Sequence, residues 1–250
     1  MIDRIEKNKI ALDQIERISI SKRSYGKGYY LVNAEDNWNI RKFDTYADAI
    51  KFVGKLPNVN SLSISSIPPQ QWHFPKFLKD FNLKEFHLSN CKISSFPNYF
   101  GEFADLRMVE LEYCDLRRIP EFIRYCLSLK KLRLNFNSID ALPDWLGELN
   151  QLEYLDLSSN ELTNLPNSLS RITSLETLNL KYNKISELPC VLGKVPHLKY
   201  LKLSHNKLTN LPECIVDSPN LKILTVSNNN FSNKPNVFQK LKKRGVVIIN

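Results

Sequence analysis

An apolar residue returns at a fixed interval along most of this chain. Val59, Leu83, Leu106, Leu129, Leu152, Leu175, Leu198 and Leu221 are separated by one step of 24 residues and then six of 23. A unit of this length cannot bury its own apolar face, so it must stack on copies of itself. Within each unit one frame recurs, seen best in LEYLDLSSNELTNLP (152–166), LETLNLKYNKISELP (175–189) and LKYLKLSHNKLTNLP (198–212). The LxxLxL segment puts alternate apolar residues on one side of a short strand and the residues between them on the other. Asn137, Asn160, Asn183, Asn206 and Asn229 follow where the chain turns inward. An amide there can both donate to and accept from backbone groups that a buried turn leaves unpaired. Cys91 and Cys114 take this position in two earlier units, and Ile67 takes it in the degenerate unit before them. Prolines 97, 120, 143, 166, 189, 212 and 235 come next. Proline fixes φ and cannot extend a sheet, so the chain is sent back along the opposite side. Apolar residues three and six positions later, such as Leu146 and Leu149, or Leu192 and Val195, face the core.

This frame resembles the leucine-rich repeat family, in its 23-residue version with Leu-Pro after the asparagine segment, over roughly residues 58–250. The resemblance implies an α/β fold, a leucine-rich-repeat solenoid whose concave face is a parallel β-sheet of about seven to eight rungs. It also implies a non-enzymatic protein-interaction scaffold. Similar Leu-Pro repeats occur in intracellular signalling proteins, among them Ras-associated scaffolds and the repeat region of Roco proteins. A small GTPase or a kinase is therefore the partner class that the resemblance implies.

Residues 1–57 do not repeat and are expected to form a small α/β cap on the first rung, with a separate binding module as the alternative. A helix over Ile2–Ile15 is followed by a strand in which Ile18 and Ile20 alternate with polar residues. The YGKG turn at 25–28 returns the chain as YYLVNA, NIRKF offers a third strand, and Asp44 or Thr45 caps a helix running to Leu56. At the other end, residues 236–250 read as a cap: a helix with Val237, Phe238 and Leu241 inward, a stop at Gly245, and a last strand in VVII.

The residue types that catalysis needs are scarce. Only four histidines are present, and His73, His87, His197 and His205 have no nucleophile or carboxylate at a telling spacing. There is no CxxC pair, so neither a metal site nor another cofactor is expected. The glycine pair in YGKGYY opens a hairpin, which excludes a phosphate-cradling helix start, and no small-molecule substrate is expected. Cys91 and Cys114 read as buried thiols, Cys126 as an apolar position on the convex side, and Cys190 and Cys214 as neighbouring free thiols. These cysteines, with a charged start (MIDRIEKNK) in place of a cleavable signal, point to a reducing, cytoplasmic compartment.

Function is therefore expected on the concave surface. Reading the columns between the strand leucines gives a partner-binding set of Glu110, Glu112, Tyr113, Arg133, Phe136, Tyr154, Asp156, Lys181, Tyr182, Tyr200, Lys202 and His205. Aromatics anchor interfaces at small entropic cost, and segregated charge suits a folded partner of complementary charge. Glu110, Glu112 and Asp115 make one repeat acidic, whereas Lys181, Lys184, Lys202 and Lys207 make two later repeats basic. A secreted effector or substrate-recognition subunit is the second expectation. Nucleic acid or an anionic surface is the third and the least favoured. The net charge of +9 divides into +3 over residues 1–57 and +6 beyond, with no aromatic-lined basic groove. No apolar run is long enough to span a membrane.

Overall fold

The computed structural model describes residues 12–23, 29–34, 38–69, 74–93, 95–232 and 235–250. Three sequence expectations fall outside them: residues 2–11 of the first helix, the Tyr25–Gly28 turn and His73. Leu12–Gln14, inside the expected helix, form a short 3-10 turn.

The chain builds one twelve-stranded sheet. Eight of its strands come from the repeats: β4 (Ser61–Ser65), β5 (Glu85–Ser89), β6 (Met108–Glu112), β7 (Lys131–Arg133), β8 (Tyr154–Asp156), β9 (Thr177–Asn179), β10 (Tyr200–Lys202) and β11 (Ile223–Thr225). They pair in parallel and in sequence order, with Leu132 opposite Leu155, Leu178 and then Leu201. The in-register leucines follow directly from the constant repeat length, since a one-residue slip would turn each row toward solvent. Leu132, Leu155, Leu178 and Leu201 are all fully buried.

The N-terminal elements extend this sheet. β1 (Arg17–Arg23) pairs in parallel with β4, and the meander β2 (Tyr29–Ala34) and β3 (Trp38–Phe43) continues antiparallel beyond it. With β12 (Val247–Ile249) on β11, the parallel run therefore has ten strands, two more than the repeats alone supply. Helix α1 (Tyr46–Val53) starts where Thr45 accepts from the Asp48 amide and packs Tyr46, Ala49, Ile50 and Val53 inward. At the far end, helix α2 (Asn236–Lys243) buries Val237, Phe238 and Leu241, and Gly245 ends it at φ +82°.

Each return segment from Pro97 to Pro212 is a five-residue 3-10 turn opening directly after the proline, which stands in extended conformation. Consecutive turns pack closely at two places. A Cβ on Gly147 would collide with the Ser168 carbonyl oxygen, and one on Gly193 with that of Cys214. Glycine is needed there for close approach, not for an unusual φ.

The turn asparagines form a continuous ladder. Asn160 donates to the Leu134 carbonyl of the rung before at 2.9 Å and to Leu157 of its own rung at 3.1 Å, and it accepts from the Ile139 amide at 2.9 Å. Asn183, Asn206 and Asn229 repeat this pattern. Leu134, Leu157, Leu180 and Leu203 thus each accept from two successive asparagines. Cys91 and Cys114 supply only the donating half: their thiols reach Ser89 and Glu112 carbonyls at 3.3 and 3.2 Å.

Candidate functional site

The strands carry outward side chains at the two positions flanking each central leucine, which gives parallel columns across the concave face. In its N-terminal half these columns are joined to one another. Glu110 lies 2.9 Å from His87 Nδ1, 2.9 Å from Lys131 Nζ and 3.6 Å from Arg133 Nε. Its carboxyl is held down to about 2, first by the His87 hydrogen bond and further by Lys131, against burial that pulls the other way. Arg133 also reaches Glu112 at 3.9 Å, and its guanidinium lies 5.5 Å from the Tyr154 ring centroid. The Tyr154 hydroxyl donates to Asp156 at 3.1 Å, and burial first, then Asp156, pushes its phenol up. Asp156 also accepts from Ser158 and Asn179 and is only 7% exposed. Glu110, Glu112, Arg133, Tyr154 and Asp156 are thus one connected network whose charges are largely matched within the protein. His87, expected to have no carboxylate at a telling spacing, belongs to it through Glu110 one 23-residue repeat away, and Lys131 and Asn179 complete it without having been among the expected residues. Their place in the same columns, 23 residues from Met108 and Asp156, was the available signal.

The C-terminal half differs. Lys181, just past β9, and Lys202, in β10, have no ion-pair partner among the described residues. They sit diagonally on adjacent rungs, Lys202 beside Asn179 and Thr225. Half-buried Tyr200 flanks them, and Thr225 has a buried hydroxyl with no hydrogen-bond partner among the described residues. Of the other basic residues expected in this region, Lys184 is paired with Glu161 at 3.1 Å, while Lys207 is exposed.

The remaining expected residues stand in the column before the turn asparagine, where every rung from Asn90 to Asn228 has φ between 53° and 60°. No residue here is glycine. A left-handed conformation costs an ordinary residue about 1–2 kcal/mol. Two pairs of rings offset part of this: Tyr113 stacks on Phe136 with centroids 4.3 Å apart, and Tyr182 on His205 at 4.1 Å. Ser159 separates the pairs, so the aromatics form two stacks, not one central cluster. Tyr113, Phe136 and Tyr182 remain exposed. Asn228 Nδ2 lies 3.0 Å from His205 Nε2 and continues the second stack.

One cysteine expectation is corrected. Cys190 and Cys214, read as free thiols, are joined by a disulfide whose Cα atoms are 5.6 Å apart. Both sit on the paired 3-10 turns that Gly193 lets approach, so the fold brings to bonding distance two residues that are 24 apart in sequence. Cys91, Cys114 and Cys126 are free and buried, and burial pushes the thiols of Cys114 and Cys126 up to about 12. Among the described residues no group of three His, Cys, Asp or Glu could hold a metal, and no helix is long and apolar enough to cross a membrane.

Comparison with known proteins agrees with this geometry. Residues 82–195 match a family model described as a leucine-rich repeat region, and residues 190–231 match one described as a leucine rich repeat. Among solved structures, the leucine-rich repeat domain of the type III effector XopL is similar at a TM-score of 0.67 and 21% identity, over 81% of this chain and 79% of that one. The internalin InlF of Listeria monocytogenes is similar at 0.61 and 18%, over 79% of this chain and 56% of its own. InlP of the same species gives 0.59 and 25%, over 73% and 52%. The chain thus spans less than two-thirds of either Listeria protein, and the likeness is one of fold. No curated protein matches the sequence significantly.

Proposed function

The chain belongs to the leucine-rich repeat family, whose members are generally protein-interaction scaffolds, and from that premise we propose that it binds a protein partner on its concave face without catalysing a reaction. The observation that carries this reading is the imbalance between the two halves of that face. The Glu110–Arg133–Asp156 network is matched internally and serves as a rigid platform, whereas Lys181 and Lys202, beside Tyr200 and the Tyr182–His205 stack, have no carboxylate partner among the described residues. Unmatched cations beside aromatic anchors are complementary to an acidic patch on a folded partner. In this reading residues 1–57 cap the first rung. The resemblance to the Leu-Pro repeats of Ras-associated and Roco proteins supports a small GTPase or a kinase as the partner, in signalling within the cytoplasm.

Affinity capture from the native cell tests this, comparing wild type with Lys181→Glu/Lys202→Glu and with Tyr182→Ala/Tyr200→Ala. Loss of a defined partner in both variants, with unchanged circular dichroism, is expected. An identical set of captured proteins in all three would remove the concave face from the function.

A second reading, a secreted effector or substrate-recognition subunit, is favoured by one observation. Disulfides persist mainly in oxidising compartments, and Cys190–Cys214 is one. Thiol labelling of the protein in its native cell decides between the two. Five reactive cysteines after denaturation support a reducing compartment, and three support an oxidising one.

A further inference from the structure

On the return side, away from the concave columns, an open groove of about 860 Å³ lies between two consecutive return segments. Its floor is apolar, built from Phe96, Leu116, Ile119 and Phe122, with the two phenyl centroids 4.8 Å apart. The acids at its rim are already matched: Asp115 lies 3.8 Å from Lys92, and Glu121 3.2 Å from Arg124. Arg117 and Arg118 are exposed on the same rim and have no ion-pair partner among the described residues. The groove therefore presents two unmatched guanidinium groups over an aromatic floor.

Comparison of the repeats with one another shows that these residues are not part of the repeat frame. Where this unit has Arg117–Arg118, the others have Ser94–Ser95, Asp140–Ala141, Thr163–Asn164, Ser186–Glu187 and Thr209–Asn210, none of them basic. Five residues after the proline, the other units carry Glu102, Glu148, Arg171, Lys194 and Asp217, all charged. Here the position is Tyr125, 54% exposed, with its ring against Gly101 on the opposite side of the groove. Departures from the frame toward guanidinium, at Arg117 and Arg118, and toward an exposed ring, at Tyr125, thus fall on one groove, and stacking the rungs requires none of them.

We propose that this groove is a second protein-binding site, which takes an extended acidic segment of a partner, with one apolar side chain on the Phe96–Phe122 floor and carboxylates against Arg117 and Arg118. Arginine suits this role because its planar fork matches a carboxylate with two parallel hydrogen bonds. The volume lies within the range of about 300–1,000 Å³ typical of sites that hold a ligand. The inference does not depend on the concave-face reading.

The test uses the full chain and a short fluorescein-labelled peptide of glutamates around a central phenylalanine, with fluorescence anisotropy at physiological ionic strength. Arg117→Glu/Arg118→Glu is expected to weaken binding roughly tenfold or more. Tyr125→Ser is expected to weaken it as well, whereas Lys181→Glu/Lys202→Glu leaves it unchanged. A peptide with glutamine in place of glutamate, or without the phenylalanine, is expected to bind poorly. Absence of binding, or equal affinity for the arginine-reversed chain, overturns the proposal. So does loss of binding in the Lys181→Glu/Lys202→Glu variant, which would place the peptide on the concave face. Inorganic phosphate or anionic vesicles binding as well as the peptide, with the same arginine dependence, would make the groove a general anion site and overturn it too.

Discussion

Replacing Asn160 with alanine probes the asparagine ladder at its centre, and the structure sets the size of the effect. The side chain makes four bonds to backbone, to the Leu134, Leu157 and Ser158 carbonyls and from the Ile139 amide. The three carbonyls do not become orphans, because Asn137 also donates to Leu134, Asn183 to Leu157 and the Phe136 amide to Ser158. Only the Ile139 N–H is left wholly unpaired, at a position where the surrounding side chain is fully buried. One buried orphan costs about 1–3 kcal/mol, and each shared bond lost adds about 0.5–1.5, less where a second donor remains. The expected destabilisation is therefore about 2–4 kcal/mol. Urea unfolding followed by circular dichroism measures it, with exposed Asn164→Ala as the control, expected within about 0.5 kcal/mol of wild type. Asn160→Cys, which restores a donor but no acceptor as at Cys91 and Cys114, should fall between the two. If Asn160→Ala cannot be told from Asn164→Ala, the ladder does not hold the rungs together and the reasoning is wrong.

Three further perturbations follow from particular contacts. Glu110 has a folded pKa of about 2 against an ordinary 4.5, so its stabilising contribution is complete above the ordinary value and is lost as pH falls through about 2. The stability difference between wild type and Glu110→Gln should shrink over that window, and a difference constant from neutral pH to pH ~2 contradicts the assignment. Gly147→Ala should destabilise by about 1–3 kcal/mol, because the Ser168 carbonyl must move. Gly101→Ala meets only the exposed Tyr125 ring, at 3.3 Å, and should lie near neutral; equal thermal shifts for the two would undo the distinction. Closing the loop between Cys190 and Cys214, 24 residues apart, should contribute about 3 kcal/mol. Reductant should lower the urea midpoint of wild type to that of Cys190→Ser/Cys214→Ser and leave the variant where it is, whereas a wild type insensitive to reductant means that the link contributes nothing.

Much of the fold was legible because the repeat states one instruction many times. A leucine every 23 residues sets rung, register and inward face together, and proline marks each return. Strand β1 and helix α2 were legible for simpler reasons, alternation at Ile18 and Ile20 and an amphipathic pattern closed by Gly245. What the sequence conceals is what happens between units. Lys131 was not among the expected residues, yet its ammonium reaches back a full rung to Glu110. Asp156 reads as a displayed charge and is instead spent on Tyr154, Ser158 and Asn179. The left-handed column was hidden because tyrosine, phenylalanine and histidine occupy it where glycine would have signalled it. Cys190 and Cys214 were one residue out of the repeat register, and nothing in that spacing says that two convex turns approach closely enough to join.

That junction also has a consequence for shape. A solenoid bends because its outer turns are spaced more widely than its strands. Neighbouring strands lie about 4.8 Å apart. At the step from β9 to β10 the Cys190 and Cys214 Cα atoms hold two outer turns 5.6 Å apart at one point, close to the strand spacing. This step carries Lys181 and Lys202, so where the disulfide is formed the rungs under the two lysines are tied together on their outer side. For the concave-face proposal, the step under the two lysines is thus one whose curvature the disulfide restrains and reduction releases.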